Sequence, residues 1–217
     1  MRVVAMVVIA LALSSARAHA NVLVNGDFET GTFAGWTPFA TSANGSIGTT
    51  VGGRAIVPFD VTGSGATDAA RFQVGQISFT PGILEGGGIR QTITTGAGMA
   101  VFHADIAAQE THGTGNAAGG LFVVLLDGVA LASFDFGFIA ALDTERSSLD
   151  FTAPVTTGAH VLSLQMTRPF VSGALGISPF QYFDNVSLNV SSVDEPATLL
   201  LVGLGLAGIG VSRRKAH

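Results

Sequence analysis

Cysteine is absent from the 217 residues, which excludes a disulfide framework and thiol chemistry. A fold without such crosslinks depends on a real hydrophobic core. Lysine is missing between Asn21 and Val193, where five arginines (Arg54, Arg71, Arg90, Arg146 and Arg168) stand against 13 acidic residues. That surplus of negative charge repels phosphate backbones, so nucleic acid is excluded as a partner while divalent cations are tolerated. Charged residues make up 12% of the chain against 47% hydrophobic, a low share for a soluble protein. Tryptophan and tyrosine occur once each, which leaves few of the amphipathic aromatic platforms that sugar sites use. Catalytic signatures are missing as well. No phosphate loop, dinucleotide fingerprint or H-E-x-x-H occurs, and Ser64 in Gly63-Ser64-Gly65 is not a G-x-S-x-G elbow.

Part of the apolar surplus sits at the two ends. Met1 and Arg2 precede an apolar run from Val3 to Leu13, and Ala18-His19-Ala20 supplies small residues before a cut. This is the tripartite layout of a secretory signal peptide over residues 1–20, an apolar helix too short to span a bilayer. At the other end, Ala197 to Val211 is an apolar run followed at once by Arg213, Arg214 and Lys215. A span takes about 20 apolar residues, so a single transmembrane helix over 197–211 is of marginal length. The basic tail belongs on the cytoplasmic side, consistent with an exported domain in front of it.

Glu195-Pro196-Ala197-Thr198, the Gly-rich apolar stretch and Arg213-Arg214-Lys215 together resemble the PEP-CTERM sorting signal of Gram-negative bacteria, with Asp194 standing where that family has its first proline. The resemblance covers residues 195–217. It implies an exosortase-type processing enzyme as partner, a transient inner-membrane anchor, and a destination at the cell surface or in an extracellular matrix.

Between the ends, the signals are those of short strands. Leu162, Leu164 and Met166 alternate with Ser163, Gln165 and Thr167, and Ile89 to Thr94 alternates likewise. Leu121–Leu126 and Val129–Phe136 flank Asp127-Gly128, a hairpin signal. Gly82, Gly86 to Gly88, Gly96, Gly98 and Gly113 to Gly120 read as turns, and Thr41–Gly53 and Glu110–Gly120 as polar, mobile loops. The expectation is an all-β jelly-roll β-sandwich over 21–190, with an N-terminal signal helix, a short linker over 191–194 and the C-terminal single transmembrane helix.

Val24 to Gly31 with Gly35-Trp36, and Tyr182-Phe183-Asp184-Asn185-Val186-Ser187-Leu188, are similar to the opening and closing segments of galactose-binding-like, carbohydrate-binding-module jelly rolls. That resemblance implies a structural calcium held between the two segments, with Glu29 and Asp184 as side-chain ligands and Asp27 or Asn25 beside them. From period two alone, Tyr182, Asp184, Val186, Leu188 and Val190 share the core-facing row, and a carboxylate there needs a partner. A carboxylate that only caps a turn at a strand end is the other reading.

Trp36 resembles a core position, and Phe134, Phe136 and Phe138 alternate like packing residues. Phe170 and Phe180 bracket a loop from Arg168 to Gln181, in which Phe170, Arg168 and Gln181 are the candidates for contact with an extracellular polysaccharide. His103, Asp105, Glu110 and His112 form the densest polar cluster. Their spacing fits no zinc motif, and a strand-face pair beside a solvated loop describes them better. Taken together, the sequence describes a non-enzymatic exported surface or biofilm-matrix protein, with a lectin-like polysaccharide-binding module as the alternative.

Overall fold

The computed structural model describes residues 21–48, 53–113, 118–171 and 178–192. The expected signal peptide and the 197–211 segment lie outside them, and among the described residues no helix is long and apolar enough to cross a membrane. Twelve strands follow in chain order. They are β1 (Thr37–Ala40), β2 (Gly45–Ser46), β3 (Ala55–Phe59), β4 (Thr67–Phe72), β5 (Gly75–Gln76) and β6 (Glu85–Thr95). The rest are β7 (Gly98–Gln109), β8 (Leu121–Leu126), β9 (Val129–Asp135), β10 (Thr144–Val155), β11 (Gly158–Arg168) and β12 (Phe180–Ser192).

Ten of them build the two layers of a jelly-roll β-sandwich, one ordered β1-β6-β11-β8-β9 and the other β10-β7-β12-β4-β3, with β2 and β5 paired apart. The alternation read in the sequence is the reason. Leu162, Leu164 and Met166 of β11 are fully buried, as are Ile89 on β6 and Phe102, Ala104 and Ile106 on β7. Asp127 and Gly128 take φ of 52° and 81°, the left-handed pair of a two-residue hairpin between β8 and β9. The rings of Phe122 and Phe183 meet across the layers at 5.2 Å, and Phe122 meets Phe136 at the same distance. Trp36 packs against Phe28 and is buried, as expected.

Four local expectations need correction. Gly86 to Gly88 are not a turn but part of β6, where a side chain would collide with backbone of β11 (Met166, Leu164) and β1 (Phe39). β12 runs on through Ser191 and Ser192, so half of the expected linker is strand. Phe138 lies past the end of β9 and is 79% exposed; only Phe136 of the three phenylalanines is truly interior. The fourth concerns β12 itself. Its pairing with β7 shifts between Asp184 and Ser187, so Asn185 and Val186 together face one residue of β7. Asn185 has a φ of 49°. This is a β-bulge, and it exchanges the two faces of the strand. Phe183, Val186 and Leu188 point into the sandwich core, while Tyr182 belongs to a separate outer cluster with Val61, Ala69 and Ala107. Asp184 is therefore buried on the outer side of its layer and not in the core-facing row.

Truncating Phe122 removes the ring that joins both layers. Phe122→Ala is expected to lower unfolding free energy by about 3–5 kcal/mol, measured by urea denaturation of residues 21–192. A loss under about 1 kcal/mol would contradict this core.

Candidate functional site

The bulge turns Asp184 toward a row of polar side chains that crosses four strands on the outer face of the second layer. Thr67 of β4 donates its hydroxyl to Asp184 Oδ2 at 2.6 Å, and the Asn185 N–H donates to Asp184 Oδ1 at 2.7 Å. Asn185 Nδ2 then donates to Asp105 Oδ2 of β7 at 2.8 Å. His103 follows, with Nε2 3.3 Å from Asp105 Oδ1 and Nδ1 2.7 Å from Asp150 Oδ1 of β10. Ser148 donates to the other Asp150 oxygen at 2.7 Å. The Ser148 and His103 contacts hold the Asp150 carboxyl below its ordinary value. Burial pushes Asp184 up; the Thr67 and Asn185 hydrogen bonds oppose it, and the Asp105 and Glu29 carboxylates push it further up.

Beside the row, a cleft of about 410 Å³ is lined by Val61, Thr62, Asp105, Arg146, Ser147 and Ser148. Its rim is the loop after β3, wound around Asp60, whose Oδ1 accepts the N–H groups of Gly63 and Gly65. Arg146 Nε donates to the Asp60 carbonyl at 2.9 Å, and Val61 drops against Ala69, Ala107 and Tyr182. The Asp-x-x-Gly-x-Gly pattern was the available signal for this loop; its landing place was not in the sequence.

The opening segment meets the closing strand as the resemblance implies. Val22 N–H donates to Leu188 O and Val186 N–H to Gly26 O, both at 2.9 Å. Glu29 Oε1 accepts the Asp68 N–H at 3.1 Å, close enough to Asp184 for its charge to be felt there. Asp27 is exposed and accepts the Glu29 N–H. The Asn25 side chain closes its own loop, bonded to Thr30, Thr32 and Ala34. Among the described residues no three His, Cys, Asp or Glu side chains converge as a metal site. Glu29 and Asp184 thus share an electrostatic neighbourhood that Asp27 does not complete.

The polysaccharide candidates fare differently. Arg168 and Gln181 are 0% exposed. Arg168 donates to the carbonyls of Ala118 and Val74, and Gln181 to those of Gly119 and Pro179. Both knit loops inside the sandwich and reach no surface ligand. Burial lowers the Arg168 guanidinium to about 10, against the pull of Glu110. Phe170 is half-buried, edge-on to Phe79 at 6.2 Å. Phe79, 59% exposed, was missed because nothing in a loop sequence separates an outward ring from an inward one. In the polar cluster, Glu110 is buried rather than solvated, its Oε1 accepting the His112 N–H. Both nitrogens of His103 face carboxylates, which leaves neither for a metal ion.

Residues 195–215 match the family model of the PEP-CTERM protein-sorting motif. The chain carries that signal, and with it is an exported protein of Gram-negative type. No curated protein matches the sequence. Among solved structures, the sandwich is similar to TmCBM61 in complex with β-1,4-galactotriose, at 15% identity over 79% of this chain and 99% of that one, TM-score 0.46. It is also similar to the C-terminal family 22 carbohydrate-binding module of Clostridium thermocellum Xyn10B, at 12% identity over 81% and 98% of the two chains, TM-score 0.44. At such identities and scores, the likeness carries nothing about what this chain binds.

The end of the sandwich where β12 finishes holds a second histidine–carboxylate pair. His160 Nδ1 lies 2.7 Å from Asp127 Oδ2 and Nε2 lies 3.0 Å from the Thr156 carbonyl, while Asp127 Oδ1 accepts the Val161 N–H. Two acceptors facing one imidazole favour its cation. The Asp127 hydrogen bond raises His160 above its ordinary 6.5, and the His160 hydrogen bond lowers Asp127 below its ordinary 3.8. The histidine contribution is complete below 6.5 and disappears as pH rises through the raised folded value; the aspartate contribution is present above 3.8 and disappears as pH falls through the lowered one. The pair therefore stabilises most in mildly acidic solution. The melting temperature of His160→Ala is expected to lie a few degrees below wild type at about pH 6, with the gap narrowing toward about pH 9. A gap independent of pH would contradict a charged pair.

Proposed function

We propose that this protein is a non-enzymatic surface or extracellular-matrix component, held at the inner membrane as a tethered precursor and released by an exosortase-type enzyme. The sorting signal at residues 195–215 carries the reading. It begins three positions after Ser192, the last residue of β12, so the sandwich is delivered as one folded module directly in front of the signal. The outer-face groups support a module without catalysis, because they are committed to one another. His103 is bound between two aspartates, and the Asp184 oxygens accept from Thr67 and Asn185. Both nitrogens of His103 face carboxylates rather than a hydroxyl, so this histidine is not set as the base of a nucleophile.

In a host lacking its exosortase, the chain is expected to accumulate at full length in the inner-membrane fraction. Normal release in that strain would overturn the sorting reading.

Calcium belongs to the same proposal as a structural ion. Glu29 and Asp184 offer the hard oxygens it takes, and the remainder of a shell of about six to eight ligands would come from backbone carbonyls and water. What favours it is the setting of Asp184. The carboxylate is 1% exposed, and the charged groups acting on it, Asp105 and Glu29, are both negative. A bound cation would relieve that repulsion. Chelation by EDTA is expected to lower the melting temperature of wild type and to leave Asp184→Asn unchanged. An identical midpoint for wild type with and without EDTA would remove calcium from the account.

A further inference from the structure

Four strands end the two layers, and they are unequal. β1 has four residues and contains Pro38, β3 contains Pro58, and β9 is seven residues long with a register shift in its pairing to β8. β10 is 12 residues long, its only proline is the penultimate residue Pro154, and among the described residues β7 is its sole ladder partner. A long edge of this kind presents a row of backbone N–H and C=O groups to another chain. Proteins that avoid such pairing place charges there. Here the charges have an arrangement of their own.

The outer face of β10 presents Thr144, Arg146, Ser148, Asp150 and Thr152, with Arg146, Ser148, Asp150 and Thr152 exposed. If a second β10 runs antiparallel beside the first with Ser148 facing Ser148, Arg146 stands opposite Asp150 on both sides of the two-fold axis. Thr144 then stands opposite Thr152. Opposite charges and paired threonines are the favourable cross-strand combinations. Neighbouring symmetric registers lose this. Centring on Arg146 or on Asp150 sets like charges against each other, which is unfavourable, and centring on the positions between them leaves both charges facing hydroxyls. A guanidinium has five N–H donors; Arg146 directs Nε at the Asp60 carbonyl and one terminal nitrogen lies 4.0 Å from the Asp60 carboxylate, so donors are left for a second carboxylate.

We infer that β10 is a self-association edge: two copies of this chain pair antiparallel through it about Ser148, joining their second layers into one continuous ten-stranded sheet. The two-fold makes the contact self-complementary and closed.

The absence of native cysteine makes the test direct. In the purified full chain in detergent, Ser148→Cys is expected to form a covalent dimer under mild oxidation, seen on a non-reducing gel. Directly opposed Cβ atoms lie about 4.5–5.5 Å apart, within disulfide reach after small adjustment. Thr152→Cys should remain monomeric, because its counterpart lies eight positions along the ladder, about 27 Å away. Arg146→Asp is expected to weaken association on the order of tenfold, and Arg146→Asp combined with Asp150→Arg to restore it. A monomer at all concentrations, equal crosslinking at both positions, or a double variant no better than the single one would each overturn the proposal. Retained melting of every variant, checked in parallel, separates loss of pairing from loss of fold.

Discussion

One residue too many in β12 governs much of this molecule. At Asn185 the closing strand advances two positions against a single residue of β7, and its faces exchange. Upstream of that point Phe183 fills the core; downstream Val186 and Leu188 do. Without the bulge, period two would carry either Phe183 and Asp184 together, or Val186 and Leu188 together, to the wrong side. The same irregularity frees the Val186 N–H to meet the Gly26 carbonyl, which ties down the opening segment. Gly26 has to be glycine because a side chain there would strike the Val186 carbonyl. Asn25, itself at a φ of 53°, then folds its loop so that the indole of Trp36 can donate to its carbonyl. Asn tolerates the left-handed region better than other non-glycine residues do, and both Asn25 and Asn185 sit there.

The sandwich was legible because its strands advertise themselves locally. Alternation in β6 and β11 and the Asp127-Gly128 hairpin need no knowledge of distant residues. What stayed hidden was long-range. Asp184 was read as interior, and it is buried, but the sense of its burial depended on a bulge that period two cannot register. Arg168 and Gln181 looked like loop residues open to a ligand, whereas their donors satisfy carbonyls contributed by segments far away in the chain. Gly86 to Gly88 mimicked a turn because glycine marks close backbone approach as readily as it marks reversal. The row from Thr67 to Asp150 joins four strands, and no single stretch of sequence contains it.

Scarcity of cations shapes the chemistry of that row. With five arginines against 13 acids between Asn21 and Val193, carboxylates must find hydroxyls, amides and imidazoles. Asp184 uses Thr67 and Asn185, Asp150 uses Ser148 and His103, and Asp127 uses His160 and a backbone N–H. Such bonds are directional and fix geometry, but they neutralise less charge than an ion pair with arginine does. Where arginine does occur, it serves structure: Arg168 inside the loops, Arg146 across the Asp60 turn. At the Asp127 corner the positive charge comes from His160, raised by its hydrogen bond to Asp127, which is why this corner favours mild acidity.

Strand direction sets a condition on how the two halves of the proposal fit together. β12 and β10 both run antiparallel to β7, so they are parallel to each other and end at the same end of the sandwich. Val193 and Asp194 alone separate β12 from the sorting signal at 195, and two residues reach at most about 7 Å. In the proposed tethered precursor, the end facing the anchor is therefore the end where β10 finishes at Val155. Two β10 strands paired antiparallel point these ends in opposite directions. Two such precursors standing upright in one membrane would hold them in the same direction. In the proposed precursor, a shared anchor that held both sandwiches upright would oppose edge pairing through β10, and release from it would permit that pairing.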